Sequence, residues 1–269
     1  MSRLDKIFQR LKAQGHTAFV AYVTAGDPDR ARSATVLRAL DGAGADILEV
    51  GVPFSDPMAD GPAIQRASER ALANGTTLTS TLEMIAELRP SVSAGIVVFS
   101  YANPILAMGL SFFMQKAAEA GVDGVLVLDL PIEESEGLRD EAAAVGIAPI
   151  FLLSPTTTDA RLRRAAELGQ GFLYAISRLG VTGERDTVAD GAQAMVERIR
   201  QVTSLPIALG FGISRPEHVA EVGRWADAVV VGSALVNTVA RAADSADLAG
   251  DVTRYVHWLK GESGSDLDP

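Results

Sequence analysis

Two carboxylates are the first sign of chemistry in this sequence. Glu49 lies within the apolar run Asp46 to Val52, and Asp60 follows on a loop rich in Pro, Ser, Asp and Gly that ends at Gly61. Strand alternation puts Ile47, Glu49 and Gly51 on one face and Leu48 and Val50 on the other, so Glu49 sits among apolar neighbours near a strand's carboxyl end. A lone buried carboxylate requires a partner, a proton or a purpose. Asp60 is placed to fold back over the strand end, and two such acids can work as a general acid/base pair. The plainer alternatives stay open: Glu49 tied to an arginine as a structural pair, and Asp60 capping the helix that begins near Gly61-Pro62.

The other reactive residue types narrow the options. Cysteine is absent, which removes disulfides, thiolate metal sites and a thiol nucleophile together. The three histidines, His16, His218 and His257, share no ligand spacing, so no bound catalytic metal is expected, with carboxylate-held magnesium left open. Lysine occurs only at positions 6, 12, 116 and 260, none of them in an expected strand, which argues against Schiff-base chemistry. The net charge is −10 and no basic run exists, so nucleic acid binding is disfavoured. No stretch of eighteen apolar residues predicts a membrane span, and the charged, amphipathic N-terminus lacks the apolar core of a signal peptide. These features together predict a cytoplasmic protein.

The elements that must position the acids read in a regular order. A short amphipathic helix over 2–14 precedes strands at Thr17 to Ala25, Asp46 to Val52, Gly95 to Tyr101, Gly124 to Leu130, Ala148 to Leu153, Gly171 to Ser177, Pro206 to Gly210 and Ala228 to Val231. Helices are expected at 29–43, 62–73, 78–88, 111–120, 133–145, 158–168, 188–202, 216–224, 234–242 and 251–260. The strands are near-continuous Val/Ile/Leu runs, as expected when both faces are covered. Eight such units predict an α/β fold, a (β/α)8 TIM barrel with an N-terminal helix and an extra helix after strand two. A doubly wound sheet would call for a glycine-rich dinucleotide turn after strand one, and Thr24-Ala25-Gly26-Asp27-Pro28 is not one. Residues 1–260 are expected to form one barrel domain, with 261–269 a disordered Gly/Ser/Asp-rich tail.

In such a barrel, chemistry belongs at the carboxyl ends of the strands. Glu49 and Asp60 map there, with two glycine turns, Gly210-Phe211-Gly212 and Gly232-Ser233, after the last two strands. Backbone N–H groups exposed at glycine and the positive end of a helix suit a phosphate, although glycines also serve tight turns. The chemistry left is carboxylate acid/base work on a phosphorylated small molecule. Tyr22 and Tyr174 either face that molecule or pack in the core. The loop over 178–187 is expected to be a mobile lid.

The chain also resembles a known family, the alpha subunits of tryptophan synthase, from Thr17 to about Lys260. The stretch Leu48 to Gly61 carries the resemblance, joined in order by Asp27-Pro28, Tyr101-Ala102-Asn103-Pro104, Ser177-Arg178-Leu179-Gly180-Val181-Thr182-Gly183, Gly210-Phe211-Gly212-Ile213-Ser214 and Gly232-Ser233. The resemblance implies a lyase that cleaves indole-3-glycerol phosphate to indole and glyceraldehyde 3-phosphate without a cofactor. It implies Glu49 as the acid/base and Asp60 as the stabiliser of positive charge on the indole nitrogen. Tyr22 and Tyr174 would face the indole, Gly183, Gly212, Gly232 and Ser233 would hold the phosphate, and Thr182 would contact Asp60. Many relatives carry Phe where Tyr22 stands and Leu where Met58 stands. The implied partner is a pyridoxal-phosphate beta subunit in an alpha2beta2 complex, meeting Pro53, Asp56, Pro57, Asn103, Pro104 and Asp129 to Pro131. The competing function is a non-catalytic regulatory subunit that binds a phosphometabolite.

Overall fold

The computed structural model describes residues 1–176, 191–210 and 212–262. Its strands are β1 (Ala18–Thr24), β2 (Ile47–Gly51), β3 (Gly95–Ser100), β4 (Gly124–Val127), β5 (Ala148–Ile150), β6 (Leu152–Leu153), β7 (Leu173–Ile176), β8 (Ile207–Gly210) and β9 (Ala228–Val231). All pair in parallel, in the order β5-β4-β3-β2-β1-β9-β8-β7-β6. The eight expected strands become nine because the fifth is divided at Phe151. Its first half pairs with β4 and its second with β7, so one stretch of chain joins the two ends of the sheet. Pro149 contributes no N–H to this stretch, while the Phe151 carbonyl accepts the Tyr174 N–H at 3.0 Å. The result is a nearly closed barrel.

The helices are α1 (Arg3–Gln14), α2 (Arg30–Gly42), α3 (Pro62–Ala73), α4 (Leu78–Leu88), α5 (Ala102–Met108), α6 (Leu110–Ala120), α7 (Glu136–Val145), α8 (Asp159–Leu168), α9 (Ala192–Arg200), α10 (Pro216–Val222), α11 (Ser233–Arg241) and α12 (Leu248–Leu259). The sequence reading missed α5. Ala102-Asn103-Pro104 reads as a loop, but Pro104 lies in the helix's first turn, where its missing N–H is no loss. Strand four is also shorter than expected, ending at Val127 rather than Leu130.

Two apolar layers form the core. Odd and even residues of each strand part to opposite sides: Leu48 and Val50 join the layer under the outer helices, and Ile47 joins the barrel interior. The interior also holds Val20, Val97, Leu126, Ile150, Phe172 and Ala208, and α1 closes its amino end with Leu4, Ile7, Phe8 and Leu11. Leu4 enters where the strand starts are stripped to glycine. A Cβ at Gly95 would fall 2.7 Å from its Cδ2, and one at Gly124 or Gly171 would fall 3.1 or 3.0 Å from its Cδ1.

The same end of the barrel carries a repeated staple. Asp46, Asp123 and Asp227 each immediately precede a strand, and each accepts a backbone N–H from the strand before: Phe19 at 3.0 Å, Ile96 at 2.9 Å and Ile207 at 2.9 Å. Each is also paired with arginine: Asp46 with Arg10, Asp123 with Arg3 and Arg89, and Asp227 with Arg200. This end of the molecule is built for stability, which leaves the opposite end for chemistry.

Candidate active site

Glu49 is the middle residue of β2 and faces the barrel interior, flanked in register by Tyr22 of β1 and Val97 of β3. Its residue is 1% exposed and its Oε1 has no hydrogen-bond partner among the described residues. It forms no ion pair there, so the structural-pair alternative falls. Loss of solvation pushes the carboxyl up to about 8, so at neutral pH Glu49 is mostly protonated and can donate.

Asp60 is held over the mouth by a different set of contacts. The Tyr101 hydroxyl donates to Asp60 Oδ2 at 3.1 Å and accepts the Ala59 N–H at 3.1 Å. Phe54 packs on the Tyr101 ring with centroids 5.0 Å apart, and Gln65 Nε2 donates to the Asp60 carbonyl at 2.8 Å. The N-cap of α3 is Gly61, so Asp60 is not the cap. Burial raises the Asp60 carboxyl to about 6, and the Tyr101 hydrogen bond works against that rise. Near neutral pH the two acids therefore differ: Glu49 holds its proton and Asp60 is mainly ionised.

Tyr22 and Tyr174 both reach the mouth, in matching fashion. Tyr22 pairs in register with Glu49 and Tyr174 with Ala208. Each tyrosine lies across a glycine two residues further along that neighbouring strand. A Cβ at Gly51 would sit 2.3 Å from the Tyr22 hydroxyl, and one at Gly210 would sit 2.4 Å from that of Tyr174. Burial, then the charge of Asp60, drives the Tyr22 phenol well above its ordinary range. Burial, then Glu49, does the same for Tyr174. Thr24 lies close enough to Tyr22 to temper the shift, though its hydroxyl is outside bonding geometry. Both phenols remain neutral at neutral pH.

Above these residues the wall turns apolar and partly open. Phe99, Leu128, Leu152 and Ile176 are half-buried against the interior cluster, and Phe99 meets Tyr22 edge-on, with centroids 5.4 Å apart. They make a cup suited to a flat aromatic group, and the sequence reading had not singled them out. Tyr101, which the sequence shows only as part of a motif, positions Asp60.

The turns after the last two strands lie on the same rim. Gly212 has φ +77°, a conformation that favours glycine. Gly232 is the N-cap of α11 and Ser233 its first residue, so the positive end of that helix dipole faces the mouth. Gly232 also abuts Tyr22: a Cβ there would lie 3.6 Å from Tyr22 Cβ. Gly212, Gly232 and Ser233 are all half-buried and reachable. Thr182, Gly183, Phe211 and the expected lid over 178–187 lie outside the described residues. Among the described residues no cluster of His, Cys, Asp or Glu is arranged to hold a metal, and no helix is long and apolar enough to cross a membrane.

Comparison with known proteins agrees with this geometry. The family described as tryptophan synthase alpha chain matches residues 8–258. The tryptophan synthase alpha chain of Acaryochloris marina is 47% identical over 261 residues, covering 97% of each chain. The crystal structure of tryptophan synthase subunit alpha from Legionella pneumophila superposes with a TM-score of 0.90 at 35% identity, covering 97% of this chain and 98% of that one. A chain of the tryptophan synthase complex from Pyrococcus furiosus gives 0.84 at 35% identity, covering 91% and 98%. With its acids, barrel and glycine turns in the expected order, the chain belongs to the tryptophan synthase alpha chain family.

Proposed function

We propose that Glu49 and Asp60 carry out the cleavage of indole-3-glycerol phosphate to indole and glyceraldehyde 3-phosphate, the carbon–carbon lyase reaction of this family in tryptophan biosynthesis. The observation that carries the assignment is the Glu49 carboxyl: buried in the barrel interior, unpaired at Oε1 among the described residues and raised to about 8. A structural acid would be satisfied. Binding a phosphometabolite for regulation would need no such group.

The steps follow from the two protonation states. Protonated Glu49 gives its proton to the ring carbon that bears the glycerol chain. The ring becomes a cation with its charge centred on nitrogen. Ionised Asp60 stabilises that charge more than it stabilises the neutral ring, which lowers the barrel-bound transition state. Glu49, now a carboxylate, takes the proton from the hydroxyl on the adjoining chain carbon. The freed electron pair forms the aldehyde carbonyl, the chain–ring bond breaks, and its electrons restore neutral indole. Glu49 ends protonated, as it began, so no external acid or oxidant is consumed.

The remaining residues position the substrate. Tyr22, Tyr174 and the Phe99–Leu128–Leu152–Ile176 cup hold the indole, and the two buried tyrosines shield its ring from water. Gly212, Gly232 and Ser233 anchor the phosphate, with Gly183 assigned to the phosphate and Thr182 to contact with Asp60 by resemblance. A beta subunit is the natural acceptor of an apolar product that would otherwise diffuse away, and an alpha2beta2 complex with a pyridoxal-phosphate beta chain in the cytoplasm is the assembly we assign. The exposed apolar side chains Met58, Leu106 and Phe112, on the segments after β2 and β3, support a contact at this end. The deciding experiment measures indole release by the purified chain and its Glu49→Gln variant. Loss of about 10²-fold or more is expected; near-normal turnover by the variant would overturn the assignment.

A further inference from the structure

Asp27, after β1, is 4% exposed and is held by Arg70 of α3 through two hydrogen bonds, Nε to Oδ1 at 2.7 Å and Nη2 to Oδ2 at 2.9 Å. The pairing is a bidentate fork, the geometry that most restricts relative movement. Two further contacts join the same segments. Asn74 Nδ2 donates to the Pro28 carbonyl at 2.6 Å, and Gly26 lies so close to Thr76 that a Cβ would fall 2.0 Å from Thr76 Oγ1. The far end of α3 is thus clamped to the end of β1. Its near end continues directly from Asp60 and Gly61, and its Gln65 grips the Asp60 carbonyl.

These links close a ring. From Gly51 the chain runs through the loop to Asp60 and along α3 to Arg70. The fork crosses to Asp27, and the Ala25 N–H returns to the Gly51 carbonyl at 2.8 Å. Inside the ring lies a small apolar cluster of Tyr22, Ala63, Ile64, Ala67 and Val236. Those small side chains leave α3 few bulky anchors of its own, and the polar clamp supplies the missing constraint.

We propose that Asp27 and Arg70 are positioning residues for the reaction: their ion pair fixes α3 and, through it, the carboxylate of Asp60. Neither residue touches the substrate. Their effect reaches the chemistry because Asp60 must face a charge that develops at one atom, where a displacement of the order of 1 Å can cost about a hundredfold in rate. The activity readout rests on the function proposed above; the titration readout does not.

The test uses Arg70→Gln, Arg70→Lys, Asp27→Asn, the single reversals Asp27→Arg and Arg70→Asp, and the exchanged pair Asp27→Arg/Arg70→Asp. Two quantities are followed: kcat and KM for indole release, and the titration of Asp60 by carboxyl NMR, with Asp60→Asn identifying its signal. With the fork broken, kcat is expected to fall roughly ten- to a hundredfold while KM changes by less than about threefold. The Asp60 midpoint should move down from about 6 toward its ordinary value as solvent reaches it. Tyr101 and Tyr22 face the same carboxyl and stay neutral throughout, so neither adds a charge of its own to the titration, while the Tyr101 hydrogen bond holds the Asp60 value down. Arg70→Lys should retain part of both properties, and the exchanged pair should recover more than either single charge reversal. An unchanged Asp60 midpoint in folded Arg70→Gln, whatever its melting temperature, would overturn the proposal. So would a loss of stability with kcat intact. If the unaltered chain released no indole, the function would be refuted, and the titration would still decide the role of the clamp.

Discussion

The Tyr101 phenol and the Asp60 carboxylate are joined at 3.1 Å, with the Ala59 N–H donating to the same phenol oxygen. One hydroxyl therefore fixes both the carboxylate and the backbone beside it. The bond favours the charged form of Asp60 and opposes the rise that burial imposes. Tyr101→Phe removes both contacts, so the Asp60 midpoint should climb above its present value of about 6. Ionised Asp60 is then scarcer at neutral pH, and kcat at pH 7 should fall roughly tenfold, the scale of one charge-assisted hydrogen bond. The acid limb of the kcat–pH profile should move to higher pH, which distinguishes this effect from simple loss of packing.

The unaltered chain should show a bell. Turnover needs Asp60 ionised and Glu49 protonated, so kcat should rise with pH through about 6 and fall through about 8. The substrate's phosphate monoester also titrates near pH 6, so saturating kcat is a cleaner measure than kcat/KM. A flat profile between pH 5 and pH 9 would be incompatible with the two assignments.

Glu49 also links activity to stability. Its folded value of about 8 lies above the ordinary 4.5, so the native state prefers the protonated form. The associated stability is fully present below the ordinary value and is lost as pH rises through the folded one. Glu49→Gln carries a neutral group of similar shape and escapes that loss. The variant should therefore melt higher than the parent at pH 8, by roughly 5 °C or more, and the two should converge toward pH 4. Calorimetry across that range reads the difference directly.

Much of this site could be read from residue order because it depends on period-two alternation and on turns. Glu49 facing inward follows from Ile47 and Gly51 sharing its side, and Gly232-Ser233 opening a helix follows from the preceding valine run. What escaped has a common cause: it depends on which segments meet. The apolar cup comes from Phe99, Leu128, Leu152 and Ile176, each two residues beyond an interior residue of its own segment: Val97, Leu126, Ile150 and Tyr174. Tyr101 gains its role only when the loop carrying Asp60 returns to β3. The division at Phe151 reflects a change of neighbour that the run Ala148 to Leu153 does not encode locally. The three aspartate staples could have been found as an internal repeat, since each stands just before a strand.

Gly51 should be intolerant of any side chain. An added Cβ would lie 2.3 Å from the Tyr22 hydroxyl, 2.7 Å from Cζ and 2.8 Å from Cε2. Gly51→Ala is expected to cost about 1–3 kcal/mol from overpacking, with a larger loss of activity as Tyr22 is driven toward the substrate. Tyr22→Phe in the same chain should relieve only part of this, since the ring carbons remain too close. Tyr22→Leu should relieve more. A double-mutant cycle in denaturant measures the coupling, and additivity of Gly51→Ala with Tyr22→Leu would contradict direct contact.

The two ends of the barrel should be separable by mutation. Leu4 is fully buried and fills the space left by Gly95, Gly124 and Gly171, far along the strands from Glu49. Leu4→Ala opens a cavity there, and the expected destabilisation is about 2–5 kcal/mol. The mouth is built from residues on later strand positions, so kcat per folded molecule should change by less than about twofold at temperatures well below melting. Denaturant unfolding and indole release measured on the same sample decide this. A large fall in kcat with the fold intact would mean that the α1 plug sets the height of Glu49 in the barrel, joining the two ends that the packing divides.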